Sequence, residues 1–178
     1  MPQTTLTKAA MTKRLMDVAK AMNDHDVDAL TSLLTDDVLY RTPALTNPLR
    51  GKVAVAEYTR RQFGSMPDLH MPTQDYLVFT GDDPARAVVT WSLTGTMTGP
   101  FEGLGGTGRR ARIVGASTYT FDGELISENS DVYDNLGFMQ QLGLLPTEDA
   151  IGFKAAVLGQ VVTNKVKHLL HADKGEAT

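Results

Sequence analysis

The stretch AVVTWSLTGTMTGPFEGLGGTGRRARIVGASTYTF (87–121) contains two strand-like segments on either side of a glycine-rich loop. Residues 87–99 and 110–121 are rich in Val, Ile, Thr and aromatic residues with roughly alternating polarity, which is typical of strands. From Gly103 to Gly108 the loop has the spacing G-x-G-x-x-G of dinucleotide-binding loops. That spacing holds phosphate only where a helix begins, and here a strand follows. The stretch therefore predicts two antiparallel strands joined by a long loop.

The composition of the chain excludes several classes of function. It has 178 residues, 42% of them apolar, which suits one domain with a substantial core. The net charge of −4 and the scattered basic residues argue against a nucleic-acid partner. The absence of cysteine excludes disulfides, thiolate metal sites and a cysteine nucleophile. No segment is typical of a membrane span or a secretory leader, so we expect a cytoplasmic protein without a membrane partner.

The segments outside this stretch follow a simple order along the chain. Apolar spacing predicts helices over 6–23, 26–34 and 52–64, and strands over 36–43, 70–79 and 124–134. Helices come first and a strand meander follows. This order predicts an α+β fold in which a curved antiparallel sheet packs on the N-terminal helices. Such a sheet can enclose a pocket.

The end of the chain, 146–178, again has apolar residues at helical spacing and predicts an extra C-terminal helix. We therefore expect a main domain over 1–145 and a helical extension over 146–178. The face of strand 87–99 that carries its threonines is expected to contact solvent or another subunit. Together with the extra helix, this face favours a homodimer.

The last predicted strand, 124–134, carries the acidic residues of greatest interest. Strict alternation places Ile126, Glu128, Ser130, Val132 and Asp134 on one face and Asp131 on the other. The first face is the more apolar, so it is expected to point toward the helices. Asp134 would then be half-buried, and desolvation would raise its pKa enough for proton transfer near neutral pH. Asp131 would face water.

Alternation also predicts the walls of a pocket. Trp91, Leu93 and Met97 share an inward face, and Tyr40 points inward from the first strand. Such walls suit a planar apolar ligand, with Asp134 and Glu128 as ionisable groups and His70 at the pocket mouth as a second proton carrier. The alternative is that Trp91 and Tyr40 only fill the core and that Asp134 only caps the helical turn after it.

Five segments carry a family resemblance, and they occur in this order: PDLHM (67–71), WSLTGTMTGPFEG (91–103), TGRR (107–110), TFDGELISE (120–128) and DVYDNLGFMQQLG (131–143). As a set they resemble the SnoaL-like polyketide cyclases of the NTF2-like superfamily. The resemblance implies a cone-shaped α+β barrel with a pocket between sheet and helices. It also implies intramolecular aldol ring closure of a polyketide-like small molecule without metal or organic cofactor. By position in the motif, the family's acid/base aspartate corresponds to Asp134.

Two residues depart from the family pattern. Met97 stands where the family usually has histidine, and Ser130 stands where it usually has tryptophan. Both changes imply a pocket of different shape, in which Tyr40 and His70 would orient the substrate or relay a proton. Opening of an epoxide is the alternative chemistry, with Glu128 as the second carboxyl group. A protein that binds a small molecule without catalysis is the alternative of another class.

Overall fold

Six strands form one curved sheet in the order β2-β1-β6-β5-β4-β3. The structure is a computed structural model that describes residues 6–81 and 85–147. Its strands are β1 (Leu34–Arg41), β2 (Leu49–Arg50), β3 (Leu77–Thr80), β4 (Arg86–Thr96), β5 (Arg110–Asp122) and β6 (Leu125–Tyr133). Its α-helices are α1 (Lys8–Asn23), α2 (Val27–Ser32), α3 (Lys52–Ser65) and α4 (Asn135–Gln141).

The expected α+β fold with a curved sheet is confirmed, and one strand pair differs from the expectation. β1 runs parallel to β6, whereas the other pairs of neighbouring strands are antiparallel. A parallel pair needs a long crossover, and here α3 and four strands lie between β1 and β6 in the chain. The sheet is open rather than a closed barrel, with β2 and β3 at its edges.

The N-terminal helices begin at polar caps and bury their apolar faces against the sheet. The Thr7 hydroxyl accepts a hydrogen bond from the Ala10 amide at the start of α1, and the Asp26 carboxylate accepts one from Ala29 at the start of α2. These bonds satisfy amides that have no partner within the helix. Leu15 of α1 is fully buried in the main core. The helices thus close one side of the space over the sheet.

The glycine-rich loop joins β4 to β5, which are antiparallel neighbours as expected. A Cβ atom on Gly106 would lie 2.2 Å from the Thr98 carbonyl oxygen, and one on Gly99 would lie 2.4 Å from the Gly64 carbonyl oxygen. These two glycines are therefore required by close backbone packing. The interpretation of the loop as a connection between two antiparallel strands is confirmed by the strand on each side.

The two remaining predicted segments are the strand over 70–79 and the C-terminal helix over 146–178. The strand expected over 70–79 is confirmed only at its end, since Thr73–Asp75 form a 3-10 turn before β3. The extra C-terminal helix predicted over 146–178 lies, except for residues 146 and 147, outside the described residues. None of the helices in the described part of the chain is long and apolar enough to span a membrane.

A β-bulge in β6 changes which of its side chains face the helices. Thr120 of β5 pairs with Glu128, but the next residue, Phe121, pairs with Ile126, so Ser127 is an extra residue in β6. An extra residue inverts the alternation beyond it. Ile126 is 1% exposed before the bulge, whereas Val132 after it is 66% exposed.

Candidate active site

A cavity of about 210 Å³ lies between the inner face of the sheet and the four α-helices of the described chain. Its wall is mainly apolar, with Val18 of α1, Leu30 of α2, Val55 of α3 and Ile113 of β5 among the contributing side chains. An apolar cavity with a few convergent polar groups is the usual form of a small-molecule site. The polar groups of this wall therefore carry its chemistry.

Asp131 of β6 places a carboxylate in the cavity wall. Its Oδ2 accepts a hydrogen bond from the Tyr40 hydroxyl at 2.6 Å. Its Oδ1 accepts hydrogen bonds from the Ser117 hydroxyl at 2.6 Å and from the Asn129 side-chain amide at 3.2 Å. Three donors, one each from β1, β5 and β6 itself, thus hold the carboxylate in one orientation.

Burial is the main influence on the acidity of Asp131. Loss of solvation raises the pKa of the carboxyl group above its ordinary value of 3.8, because the charged form is disfavoured away from water. The hydrogen bonds from Ser117, Tyr40 and Asn129 act in the opposite direction, since they stabilise the carboxylate. A carboxylate with a raised pKa is a stronger base, and this suits it to remove a proton from carbon.

Trp91 supports this arrangement from β4. Its indole Nε1 donates a hydrogen bond to the Ser117 hydroxyl oxygen at 2.7 Å, which leaves the Ser117 proton directed at Asp131. The indole ring lies over Gly115, where a Cβ atom would be 2.6 Å from the ring carbons Cζ2 and Cη2. Gly115 therefore makes the room that Trp91 needs to reach Ser117.

All five tyrosines of the chain line the cavity: Tyr40, Tyr58, Tyr76, Tyr119 and Tyr133. Burial is the first cause that raises the pKa of each phenol, so all five remain neutral at ordinary pH. A neutral phenol donates a hydrogen bond and presents an apolar ring face. The cavity is thus suited to a flat ligand that carries oxygen acceptors.

Asp134 does not lie in this cavity, so its predicted placement is wrong. Its side chain caps α4, where Oδ1 accepts a hydrogen bond from the Gly137 amide at 2.8 Å, and the residue is exposed. The bulge at Ser127 is the reason, because it moves Asp131 to the inner face. The capping role named as the alternative for Asp134 is the one observed.

The same inversion removes Glu128 and Ser130 from the cavity wall. Glu128 forms an ion pair with Arg41 of the neighbouring β1, with both side chains partly exposed. Ser130 lies opposite Thr118 of β5 and is not among the lining residues. Neither residue therefore lies on the cavity wall where alternation placed it. Glu102, paired with Arg61 at 3.1 Å, is the other carboxylate of the cavity wall beside Asp131 in the described chain.

His70 also lies away from the cavity wall. Its backbone pairs with Thr94 through hydrogen bonds of 2.8 and 2.9 Å, and the residue is exposed. His70 is not among the lining residues, so the structure does not bring it to Asp131. Its short bridge to β4 turns the side chain to solvent, and the expected proton carrier at the pocket mouth is not supported.

The other predicted wall residues point inward as expected. Tyr40, Trp91, Leu93 and Met97 all line the cavity, and Met97 is 1% exposed. For the residues that follow the alternation of β4, alternation was sufficient because β4 pairs with β5 without a break in register from Arg86 to Thr96. Their role in binding a substrate stays a prediction.

Sequence reasoning missed Asp131 as the carboxylate of the cavity. A signal was available in Tyr133, since a tyrosine two residues from Asp131 shares its face and is more typical of a pocket wall than of open solvent. Tyr133 contacts Trp91, with ring centroids 6.1 Å apart, and its hydroxyl lies 3.3 Å from the Thr42 hydroxyl. Val132 indicated the opposite face, because an apolar residue is expected to point inward, but Val132 is exposed.

Comparison with known proteins identifies the family. The sequence profile described as SnoaL-like polyketide cyclase matches residues 12–142. No curated protein sequence matches the chain significantly.

Several solved structures share the fold. A candidate polyketide cyclase from Xanthomonas campestris pv. campestris is 20% identical, with a TM-score of 0.69 over 76% of this chain and 98% of that one. TsrD from Streptomyces laurentii is 26% identical, with a TM-score of 0.66 over 79% and 99% of the two chains. AclR, a candidate hydroxylase from Streptomyces galilaeus, is 18% identical, with a TM-score of 0.66 over 91% and 99%.

The profile match spans well over half of the 178 residues. It includes every strand of the sheet and Asp131 of the cavity wall. The chain therefore belongs to the SnoaL-like polyketide cyclase family.

Proposed function

We propose that this protein is a cyclase that closes a ring in a carbonyl-rich, polyketide-like intermediate by an aldol reaction, with Asp131 as the group that transfers the proton. The observation that carries the proposal is the carboxylate of Asp131, buried in an apolar cavity and held by Tyr40, Ser117 and Asn129. Family membership and the candidate cyclase from Xanthomonas campestris are consistent with it.

The proposed chemistry needs only proton transfer and a folded substrate. The Asp131 carboxylate removes a proton from a carbon flanked by two carbonyl groups, and the electron pair of that C–H bond passes into an enolate. The enolate carbon then bonds to the carbon of a second carbonyl group, whose oxygen becomes an alkoxide. This oxygen takes the proton back from the Asp131 carboxyl group, so the product is an isomer of the substrate. Bringing both carbons together within one cavity supplies much of the rate enhancement.

Tyr40 is proposed to orient the Asp131 carboxylate and to limit the rise of its pKa. Its hydroxyl hydrogen-bonds the Oδ2 of Asp131, while Ser117 and Asn129 occupy Oδ1. Oδ2 therefore has the smaller number of protein donors and is the oxygen best placed to accept a substrate proton. The Tyr40 phenol has a strongly raised pKa, caused first by burial, so it donates without losing its own proton.

Epoxide opening is less well supported than aldol closure. It was expected to use Glu128 as a second carboxyl group, and Glu128 instead pairs with Arg41 outside the cavity. The aldol reaction can use one carboxyl group for both proton transfers. A cavity that binds a ligand without catalysis remains the contrasting hypothesis, and activity measurements separate the two.

The test compares Asp131→Asn with Asp134→Asn on a synthetic poly-β-keto ester, with ring closure followed by ultraviolet and mass spectra. We expect Asp131→Asn to lower kcat by at least about 100-fold, the range typical of removing a general base. Asp134→Asn should retain activity, because asparagine caps a helix about as well as aspartate and the residue lies outside the cavity.

Equal activity of Asp131→Asn and the wild-type protein would refute the proposed mechanism. If the wild-type protein binds the ester without converting it, the ligand-binding hypothesis is favoured instead. Loss of activity in the Asp134 variant alone would indicate that Asp134, at the start of α4, is the catalytic residue.

A further inference from the structure

Tyr76 differs from the other tyrosines of the cavity in its hydrogen bonding. It follows the 3-10 turn of Thr73–Asp75 and precedes β3, and 4% of its surface is exposed. Its hydroxyl oxygen is fully buried and makes no hydrogen bond of normal geometry among the described residues, although the Tyr119 hydroxyl lies close enough to affect its pKa. A buried hydroxyl group without a partner is uncommon, because it has lost its water without replacement.

The hydroxyls of the tyrosines around Asp131 are placed differently. Tyr40 donates to Asp131, and the Tyr133 hydroxyl lies at hydrogen-bond distance from Thr42. Both hydroxyls therefore already have a protein partner. The Tyr76 hydroxyl has the Tyr119 hydroxyl nearby but no hydrogen bond of normal geometry, so it can bond to an incoming group.

Tyr76 and Asp131 approach the cavity from different parts of the sheet. Tyr76 comes from the β3 edge and Asp131 from β6, with β4 and β5 between them. Neighbouring strands are about 4.8 Å apart, so the strands of these two residues are separated by about 14 Å. Tyr119 and Ser117 of β5 lie on the wall between them. A ligand that touches both ends therefore needs polar groups at two separate positions.

The phenol of Tyr76 can act here only as a neutral group. Burial raises its pKa, an interaction with the Tyr119 hydroxyl acts in the opposite direction, and the negative charge of Asp131 adds a smaller increase. Its proton is therefore available for donation, and its ring adds to an apolar wall. The preferred partner is an uncharged oxygen acceptor, since a mainly apolar wall would not solvate a ligand anion.

We propose that the Tyr76 hydroxyl is a subsite for a carbonyl oxygen of the ligand, remote from the carbon that Asp131 deprotonates. This inference rests on the proposed function only in taking the same cavity as the substrate site. It narrows the substrate class to neutral compounds with at least two oxygen-bearing regions, one at each end of an apolar body. Tyr76 is then a specificity-determining residue and not a catalytic one.

The test measures binding of two probes of the same shape, 2-acetylnaphthalene and 2-isopropenylnaphthalene, which differ in having a carbonyl oxygen or a methylene group. Trp91 lines the cavity and is the one tryptophan of the chain, so quenching of its fluorescence reports binding. We expect the wild-type protein to bind the ketone about 5- to 10-fold more tightly, as one hydrogen bond to a buried hydroxyl allows. Tyr76→Phe should remove that preference and leave the affinity for the hydrocarbon unchanged.

Tyr133→Phe is the matched control, because it removes a cavity hydroxyl that already has Thr42 as a partner. It should keep the preference for the ketone. The thermal midpoint of Tyr76→Phe should equal or exceed that of the wild-type protein, since the substitution removes an unpaired buried hydroxyl. This measurement separates loss of the subsite from loss of the fold.

Three results would overturn the inference: a ketone preference that survives in Tyr76→Phe, a wild-type protein that does not distinguish the probes, or one that binds neither. A ketone preference lost in Tyr133→Phe but not in Tyr76→Phe would move the subsite to Tyr133. These experiments measure binding affinity, so their interpretation does not depend on whether the protein shows cyclase activity. Conversely, if the protein shows no preference for the ketone, the role of Asp131 is still tested by the activity of Asp131→Asn.

Discussion

At the scale of single residues, Asp131 combines a buried carboxyl group with three hydrogen-bond donors. The donors hold the carboxylate in place, but they offset only part of the free energy lost when it leaves water. Keeping a charged carboxylate in such a site lowers the stability of the folded protein. This loss of stability can be measured from the pH dependence of the free energy of unfolding.

We predict that Asp131→Asn is more stable than the wild-type protein at pH 8, and that the difference shrinks toward pH 4. Since the pKa of Asp131 is raised by folding, its contribution to stability is full below the unfolded value of 3.8 and is lost as pH rises through the folded value. Each unit of that shift corresponds to about 1.4 kcal/mol. Urea unfolding at several pH values checks the trend.

Asp68 supplies a control of opposite sign. Hydrogen bonds from the amide and hydroxyl of Thr96 lower the pKa of its carboxyl group. Its contribution to stability is therefore present above the unfolded pKa and lost as pH falls through the folded pKa. Asp68→Asn should be less stable than the wild-type protein at neutral pH. If both variants shift stability in the same direction at pH 8, the assignment of these two groups is incorrect.

At the scale of elements, the bulge in β6 decides which acidic residue enters the cavity. Ser127 is the extra residue, and its hydroxyl donates to the Thr120 carbonyl oxygen at 3.2 Å. Beyond it, Asp131 and Tyr133 point to the cavity and Val132 points to solvent. If Ser127 were paired regularly and not bulged, strict alternation would turn Val132 inward and Asp131 outward.

We predict that deletion of Ser127 preserves the fold and lowers the free energy of unfolding by no more than about 3 kcal/mol, the range of ordinary single changes. Without the extra residue, Ile126 and Glu128 become consecutive and can stay paired with Phe121 and Thr120, so Asp131 and Tyr133 remain on the inner face. Ser127→Ala is the control, because it removes one hydrogen bond to a backbone carbonyl and should lower stability by about 1 kcal/mol. Urea denaturation monitored by circular dichroism measures both. A deletion variant that does not fold would show that the bulge itself is required.

At the scale of the whole molecule, the outer face of the sheet presents apolar side chains to solvent. Exposed residues on strands β3 to β6 include Leu77, Phe79, Val88, Val114 and Val132. Strand register places Phe79 beside Val88, so the exposed groups form a patch. Apolar patches of this kind commonly mark contacts between proteins. The homodimer expected from the threonine face remains a prediction that this patch favours.

We predict that the wild-type protein sediments as a dimer and that Val132→Glu weakens the dimer by at least about 10-fold, because the charge would be buried at the interface. Val53→Glu is the matched control, since Val53 is 70% exposed but lies on α3 and not on the sheet. It should leave the dimer intact. Analytical ultracentrifugation across concentrations measures the association. A wild-type protein that stays monomeric at high concentration would contradict the prediction.

Much of this protein follows from local patterns in its sequence. Helical spacing predicts α1, α2 and α3, and alternation predicts β4, β5 and the inward direction of Tyr40, Trp91 and Met97. These features depend on residues close together in the chain, where side-chain period and capping chemistry act directly. The α+β class and the SnoaL-like family follow from the same order of elements and motifs. The cytoplasmic location and the extension over 146–178 remain predictions.

Only the tertiary structure decided which residues meet in the cavity. The bulge at Ser127 depends on how β6 pairs with β5, and the parallel pairing of β1 with β6 brings Tyr40 to Asp131 across 91 residues of chain. Neither pairing leaves a periodic signal in the sequence. Strict alternation in the sequence predicted Asp134 as the acid of the cavity, whereas the observed pairing of β6 with β5 puts Asp131 there. The reason is that one extra residue in a strand inverts the faces of the side chains that follow it.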